Sequence, residues 1–383
     1  MKEISWKDNL RIAWLGSFLT GACISLVVPF MPIFVEQLGV EPSQVTFYSG
    51  LAISVSAISA ACVSPLWGIL ADRYGRKPMM IRAGLAMTIT MGGLAFVPNV
   101  YWLLALRLLN GVFTGFVPNA TALIASQVPK DKSGYALGTL SSGVVAGTLT
   151  GPFVGGMIAE VFGIRNVFLM VGGFLFLAAI LTIFFIKEDF QPVPKEKALP
   201  TKELFTSVKY PYLLFNLFAT SFVIQVAAQS VGPILALYIR DLGQNENLLF
   251  VSGLIVSSMG LSSMMSSGVM GRLGDKVGNH RLLIVAQAYS ALIYLLCANA
   301  STPLELGIYR FLFGLGTGAL VPGINALLSR MTPKAGISRV FAFNQVFFYL
   351  GGVIGPLAGS VVAEQFGYHS VFYATAALSL IHI

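Results

Sequence analysis

Residues 147–156 read GTLTGPFVGG, and 204 positions after Gly151-Pro152 the chain repeats itself as Gly355-Pro356. Four glycines and a proline fall within ten residues, inside an apolar run otherwise suited to a helix. In a water-exposed helix interior, glycine costs about 1 kcal/mol and proline about 3 kcal/mol relative to alanine. The stretch therefore makes sense only if the solvent around the helix is not water. Gly147, Gly151 and Gly155 are spaced i, i+4, i+8, and Gly143 extends the row by one turn. Such a row makes a smooth groove in which a second helix packs against backbone, the favoured close contact within a bilayer. Pro152 removes one backbone hydrogen bond and permits a bend.

Composition points to the same solvent. The 383 residues are 56% hydrophobic and only 10% charged, against roughly 25% charged in ordinary globular domains. Twelve apolar stretches read as crossings of a hydrocarbon layer about 30 Å thick, all but the last long enough to span it. They centre near Ala22, Ser59, Thr88, Gly115, Gly147, Phe176, Val226, Met259, Ser290, Leu315, Leu350 and Thr375. The N-terminal MKEISWKDNLR is polar with mixed charge and has no small-residue cleavage site after the first apolar run, so that run reads as a membrane helix. The twelfth stretch has about fifteen residues after Tyr368, short for a crossing, and reads as cut short at its C-terminal end.

The net charge of +8 could suggest nucleic acid, but its distribution is topological. With both ends inside, all Lys and Arg except Arg107, Arg165, Arg240 and Arg310 fall on one side of the layer. That is the positive-inside pattern, which orients the N-terminus to the cytoplasm of a multi-pass cell-membrane protein. Cys23, Cys62 and Cys297 lie in apolar segments without paired spacing, so neither a disulfide framework nor a metal site is read, and no cofactor loop is seen.

The repeat runs the length of the chain. Leu38-Gly39 matches Leu242-Gly243, Ser49-Gly50-Leu51 matches Ser252-Gly253-Leu254, and Asp72 and Gly75 match Asp275 and Gly278. Arg107 matches Arg310, and Glu160-x-Phe162-Gly163 matches Glu364-x-Phe366-Gly367. Two six-helix bundles of like orientation follow, residues 1–187 and 211–383, joined by a polar cytoplasmic linker at 188–210. Parallel repeats of this kind characterise secondary transporters, with binding near the midplane. The expected fold class is an all-α membrane protein of twelve transmembrane helices in two pseudo-symmetric bundles.

Three motifs carry a family resemblance. GILADRYGRK, residues 68–77, with Gly68, Asp72, Arg73, Gly75, Arg76 and Lys77, resembles the loop between the second and third helices of the major facilitator superfamily. The second copy, GRLGDKVGNHR, keeps Asp275 and Gly278. The resemblance implies a gating latch; in it Gly75 supplies backbone freedom and Gly68 a close helix approach. Arg107 with Gly111 and Gly115 resembles the R-x-x-x-G element of drug:proton antiporters, which implies a part in proton coupling. A buried arginine must face the protein interior, although Arg107 is also near enough to the outer interface to snorkel. The opening stretch, with Gly143, Gly147, Gly151, Pro152, Gly155 and Gly156, resembles the antiporter signature of the fifth helix. The whole chain is similar to Gram-positive quinolone and multidrug efflux pumps.

That resemblance implies a monomeric antibiotic-resistance exporter, not an enzyme, that moves amphipathic drugs and cationic dyes against protons by alternating access. A facilitator or symporter for a small neutral metabolite such as a sugar is the alternative. No carboxylate lies in the middle of an apolar segment; where related pumps place one in the seventh helix, this chain has Gln225 and Gln229. Glu36 is the candidate proton carrier, or simply the end of the first helix. The expected substrate cavity combines Asn119, Gln225, Gln229, Asn325 and Asn344 with Phe343 and Phe347. A few amides among many aromatics suit large amphipathic ligands of varied shape.

Overall fold

A computed structural model describes residues 5–129, 132–190, 211–331 and 337–381. Of the linker read at 188–210, only the first residues fall within these ranges. The helices run α1 (Trp6–Gln37), α2 (Val45–Tyr74), α3 (Arg76–Gly93), α4 (Val100–Phe113), α5 (Phe116–Gln127), α6 (Ser133–Phe162) and α7 (Ile164–Phe185) in the first half. In the second half they run α8 (Pro211–Ser230), α9 (Leu235–Asp241), α10 (Leu248–Val277), α11 (Asn279–Ala298) and α12 (Pro303–Thr317). The last three are α13 (Leu320–Met331), α14 (Ile337–Phe366) and α15 (Tyr368–Ile381).

Among the described residues, ten stretches are long and apolar enough to cross a membrane, α4 and α5 counting together as one. The remaining two expected crossings are α12 with α13, which are 15 and 12 residues long, and α15 with 14. The fourth and tenth apolar segments, read from sequence as single helices, are therefore each broken. Every backbone polar group inside a bilayer must find a partner within the protein, which is why helices dominate. The helix starts follow ordinary capping rules. Asn99 Oδ1 accepts from Tyr101 N and Trp102 N; ahead of α12, Thr302 Oγ1 accepts from Glu305 N and Glu305 Oε2 accepts from Ser301 N.

Two compact units emerge from the contacts. The first takes the chain up to Val40, then from Val55 through α7, together with Leu249–Gly253. Its core joins Leu10, Ala13 and Leu19 of α1 to Met80 and Ala83 of α3 and to Phe116, Ala120 and Leu123 of α5. The second takes Glu41–Ser54 and the described remainder of the second half. Its core joins Leu214 and Phe218 of α8 to Leu282 and Leu283 of α11, Ile324 and Leu328 of α13 and Val340 of α14.

The internal repeat is visible in the backbone. Gly75 and Gly278, which link α2 to α3 and α10 to α11, have φ of 99° and 101°. Gly163 and Gly367, at the matching later junctions, have 81° and 82°. Only glycine takes these values without strain. Cys23 and Cys297 are buried, and Cys62 on α2 is exposed.

Candidate functional site

The glycine row of α6 packs where its spacing predicts. A side chain added at Gly143 would meet Trp14, at Gly147 the backbone of Phe18 and Ala22, at Gly151 that of Ala22, and at Gly155 the side chain of Leu26. All four partners lie on α1, and Gly21 of α1 answers by meeting Val144 O. The second unit repeats the seam between α14 and α8. There Gly351 faces Phe222 O, Gly355 faces Val226 O and Gly359 faces the backbone of Ser230.

Gly156 and its counterpart Ser360 serve another face. In the first unit, Gly156 lies against Leu249 and Phe250, while Gly253 lies against Pro152 O and Gly156. Leu249 N also donates to Glu160 Oε2 at 3.2 Å. In the second unit, Gly50 lies against Pro356 O and Ser360, and Ser54 Oγ donates to Val353 O at 2.6 Å. The Gly-Pro pair of each half is thus a two-sided packing surface.

Around the 68–77 loop, the positively charged end of α3 is closed by a residue absent from the sequence argument. Gly75 gives α3 no side-chain cap of its own. Glu188 supplies one, its Oε1 accepting from Arg76 N at 2.8 Å and its Oε2 from Lys77 N at 2.7 Å. A carboxylate at a helix N-terminus both satisfies orphan donors and meets the favourable end of the helix dipole. Lys77 Nζ donates to Ile183 O at 2.9 Å, and Arg73 lies over the ring of Tyr74. The preceding residue, Lys187, is fixed by Asn9, which donates to its carbonyl at 2.7 Å and accepts from its N–H at 2.9 Å. Gln127 donates to the same carbonyl at 2.9 Å. Asp72 and Asp275 sit near the ends of α2 and α10, their side chains outside the described set. A Cβ at Gly68 would meet nothing within 4 Å among the described residues.

Both intramembrane arginines are buried, Arg107 at 7% and Arg310 at 5% exposure. Arg107 does not snorkel; its Nη1 is 3.9 Å from Met91 Sδ on α3. The guanidinium of Arg310 lies 5.5 Å from the centre of the Phe313 ring, and its Nε and Nη1 have no hydrogen-bond partner among the described residues. Glu36 occupies the last turn of α1 and is half-buried.

The amides expected to line one cavity have different surroundings. In the second unit, Asn325 and Asn344 line a small recess with Ser221, Ile224, Ile324 and Phe348, and Ser221 Oγ donates to Asn344 Oδ1 at 2.6 Å. Phe347 stacks on Phe218 with ring centres 5.4 Å apart, and Phe343 packs on the same core. Gln225 and Gln229 lie along the α8–α14 glycine seam. Asn119 belongs to the first unit, where its Nδ2 donates to Gly115 O at 2.7 Å. Among the described residues no cluster of His, Cys, Asp or Glu could hold a metal ion.

Such a chain is a polytopic helical membrane protein built by internal duplication, with glycine seams and buried cations within its bundles. The family model of the Major Facilitator Superfamily matches residues 13–250 and 217–383, and the chain belongs to that superfamily. It is 85% identical over 376 residues to the multi-drug resistance efflux pump PmrA of Streptococcus pneumoniae serotype 4, covering 98% of this chain and 94% of that protein. It is 52% identical, over all of this chain and 95% of the relative, to a PmrA homolog of Lactococcus lactis. Against the multidrug resistance protein MdtG of Escherichia coli the identity is 46%, over 98% of this chain and 93% of that protein. The fold matches a bacterial homolog of the human lysosomal transporter Spinster, in an inward-facing and occupied conformation, with a TM-score of 0.85 at 14% identity. That match covers 97% of this chain and 94% of the other.

Proposed function

We propose that the protein is a multidrug efflux pump of the cell membrane that exports amphipathic drugs and dyes in exchange for protons, working as a monomer. The carrying observation is the 85% identity, nearly end to end, to a pump named for multi-drug resistance. The site supports the same reading. Few charges, the hydroxyl–amide pair Ser221–Asn344 beside Asn325, and many aromatics suit bulky amphipathic ligands. The buried Arg107 and the two-sided Gly-Pro helices α6 and α14 suit a protein that couples ions to rocking of its halves. In this reading the N-terminus and the linker are cytoplasmic, which the Lys/Arg distribution supports. The 68–77 and 271–281 loops act as the inner latch.

Proteoliposomes holding the purified chain test it. With an imposed pH gradient, ethidium and a quinolone are expected to move, and an uncoupler to stop them. Movement of a neutral sugar with no movement of either drug would instead establish the facilitator reading. Glu36→Gln is expected to slow gradient-driven efflux while leaving drug binding intact; wild-type efflux would remove Glu36 from the coupling path.

A further inference from the structure

The fourth crossing is interrupted at Thr114–Gly115, inside the apolar layer, and the interruption has a chemical cause. Pro118 has no N–H to give Thr114 O, and its ring crowds that carbonyl. Gly115 at φ 133° turns the chain, and α5 restarts at Phe116. A helix that stops leaves its last carbonyls without donors, and in a bilayer no water replaces them.

Gly111 O takes the N–H of Thr114 at 3.4 Å, and the carbonyls that follow are met by side chains. Val112 O accepts from the indole Nε1 of Trp67 on α2 at 2.7 Å. Phe113 O and Thr114 O both accept from Nη2 of Arg82 on α3, at 3.3 and 3.1 Å. Gly115 O accepts from Nδ2 of Asn119. The Arg82 guanidinium lies 3.4 Å from the centre of the Trp67 ring, so the two donors are themselves joined by a cation–π contact. A cation at a helix C-terminus is also favoured by the helix dipole. The repeat does not carry this arrangement. The positions corresponding to Trp67 and Arg82 are Met270 and Val285, so the duplication alone does not explain it.

We infer that Arg82 and Trp67 act together as a clasp across the break in the fourth crossing, and that this clasp positions the inner half of that crossing for transport. The outer half-helix carries Arg107 and the inner one Asn119, so the break separates the coupling arginine from an amide of the proposed ligand set. Arg82 is a positioning residue here; it holds backbone. Among the described residues its Nε and Nη1 are buried without hydrogen-bond partners, so the contacts it makes run through Nη2 and the guanidinium face.

The inference rests on the transport reading for its functional half and on geometry for the other, so two measurements are paired. Hydrogen–deuterium exchange on purified protein follows the peptide around residues 110–122. R82Q is expected to speed exchange there and leave the rest of the chain unchanged; unaltered exchange would remove the clasp whatever the protein transports. In proteoliposomes where the wild type exports both ethidium and a quinolone, R82Q and W67F are each expected to lower the maximal rate on the order of ten-fold, with KM within about two-fold. The double variant should fall no further than the worse single variant, as coupled neighbours do. Losses that add, an unchanged rate, or a loss confined to the carboxylate-bearing quinolone would each overturn it, the last by placing Arg82 on the substrate. Failure of the wild type to export either drug would strike the transport reading and leave the exchange result standing.

Discussion

The carboxylate of Glu188 accepts the backbone N–H of Lys77 at 2.7 Å across 111 residues of chain. It ties the first residues after the sixth crossing to the loop between the second and third. Removing a side-chain cap from a helix start costs about 1 kcal/mol, and a charged one interacts with the dipole as well. Glu188→Ala is therefore expected to lower thermal stability by about that amount and to reduce efflux, with Glu188→Gln in between. A melting curve and an ethidium assay on the same preparation check both. An unchanged melting temperature in Glu188→Ala would show that the cap contributes nothing measurable.

The glycine seams make a contrast that a mutant series reads directly. A Cβ at Gly147 or Gly359 would press on backbone of the neighbouring helix, which cannot step aside. At Gly68 and Gly173 it would meet open space, and neither has a positive φ. Gly147→Ala and Gly359→Ala are expected to lose on the order of 1–3 kcal/mol through overpacking. Gly68→Ala and Gly173→Ala are expected to stay within about 0.5 kcal/mol of wild type, the usual range for uncrowded sites. Yield and melting temperature of the four variants decide it.

Among the described residues, Nε and Nη1 of Arg310 are buried without hydrogen-bond partners, an arrangement that costs stability unless function requires it. Arg310→Met is expected to match or exceed wild type in melting temperature, by up to about 1 kcal/mol. If efflux falls while stability rises, the cation is retained for transport. A clear drop in melting temperature would instead show that the guanidinium holds the bundle together.

Asn344 receives the Ser221 hydroxyl at the recess formed with Asn325. Asn344→Ala leaves that hydroxyl without its acceptor and widens the recess. A panel of structurally unlike drugs is expected to show unequal changes in KM, because an amide in a ligand recess discriminates by hydrogen bonding. A uniform change across the panel would mark Asn344 as purely structural.

Much of this architecture was legible in the sequence because it is written in residue size and spacing. Glycines at i, i+4 and i+8 predict a seam, and α1 fills it. The repeat predicts paired junctions, and Gly75/Gly278 and Gly163/Gly367 share their backbone angles. Arg107 was placed in the interior by the cost of exposing it to lipid, and it is buried. The helix breaks were not legible from hydropathy, which counts apolar side chains and ignores the missing N–H of Pro118. That proline was the available signal. Glu188 escaped because it sits among the charges of a polar linker, and only the folded chain brings it to α3. Gly68 shows the limit of a motif, because a glycine within one says nothing about which neighbour, if any, comes close.

Of the three cysteines, only Cys62 is exposed. It sits on α2, the helix whose first turns pack in one unit and whose remainder packs in the other. On a membrane-crossing helix an outward thiol faces either acyl chains or a water-filled path, and only the second lets it react quickly with a maleimide, because the thiolate is the nucleophile. Brief labelling of the wild-type protein with a water-soluble maleimide therefore reports whether that face of α2 is lipid-covered or wet.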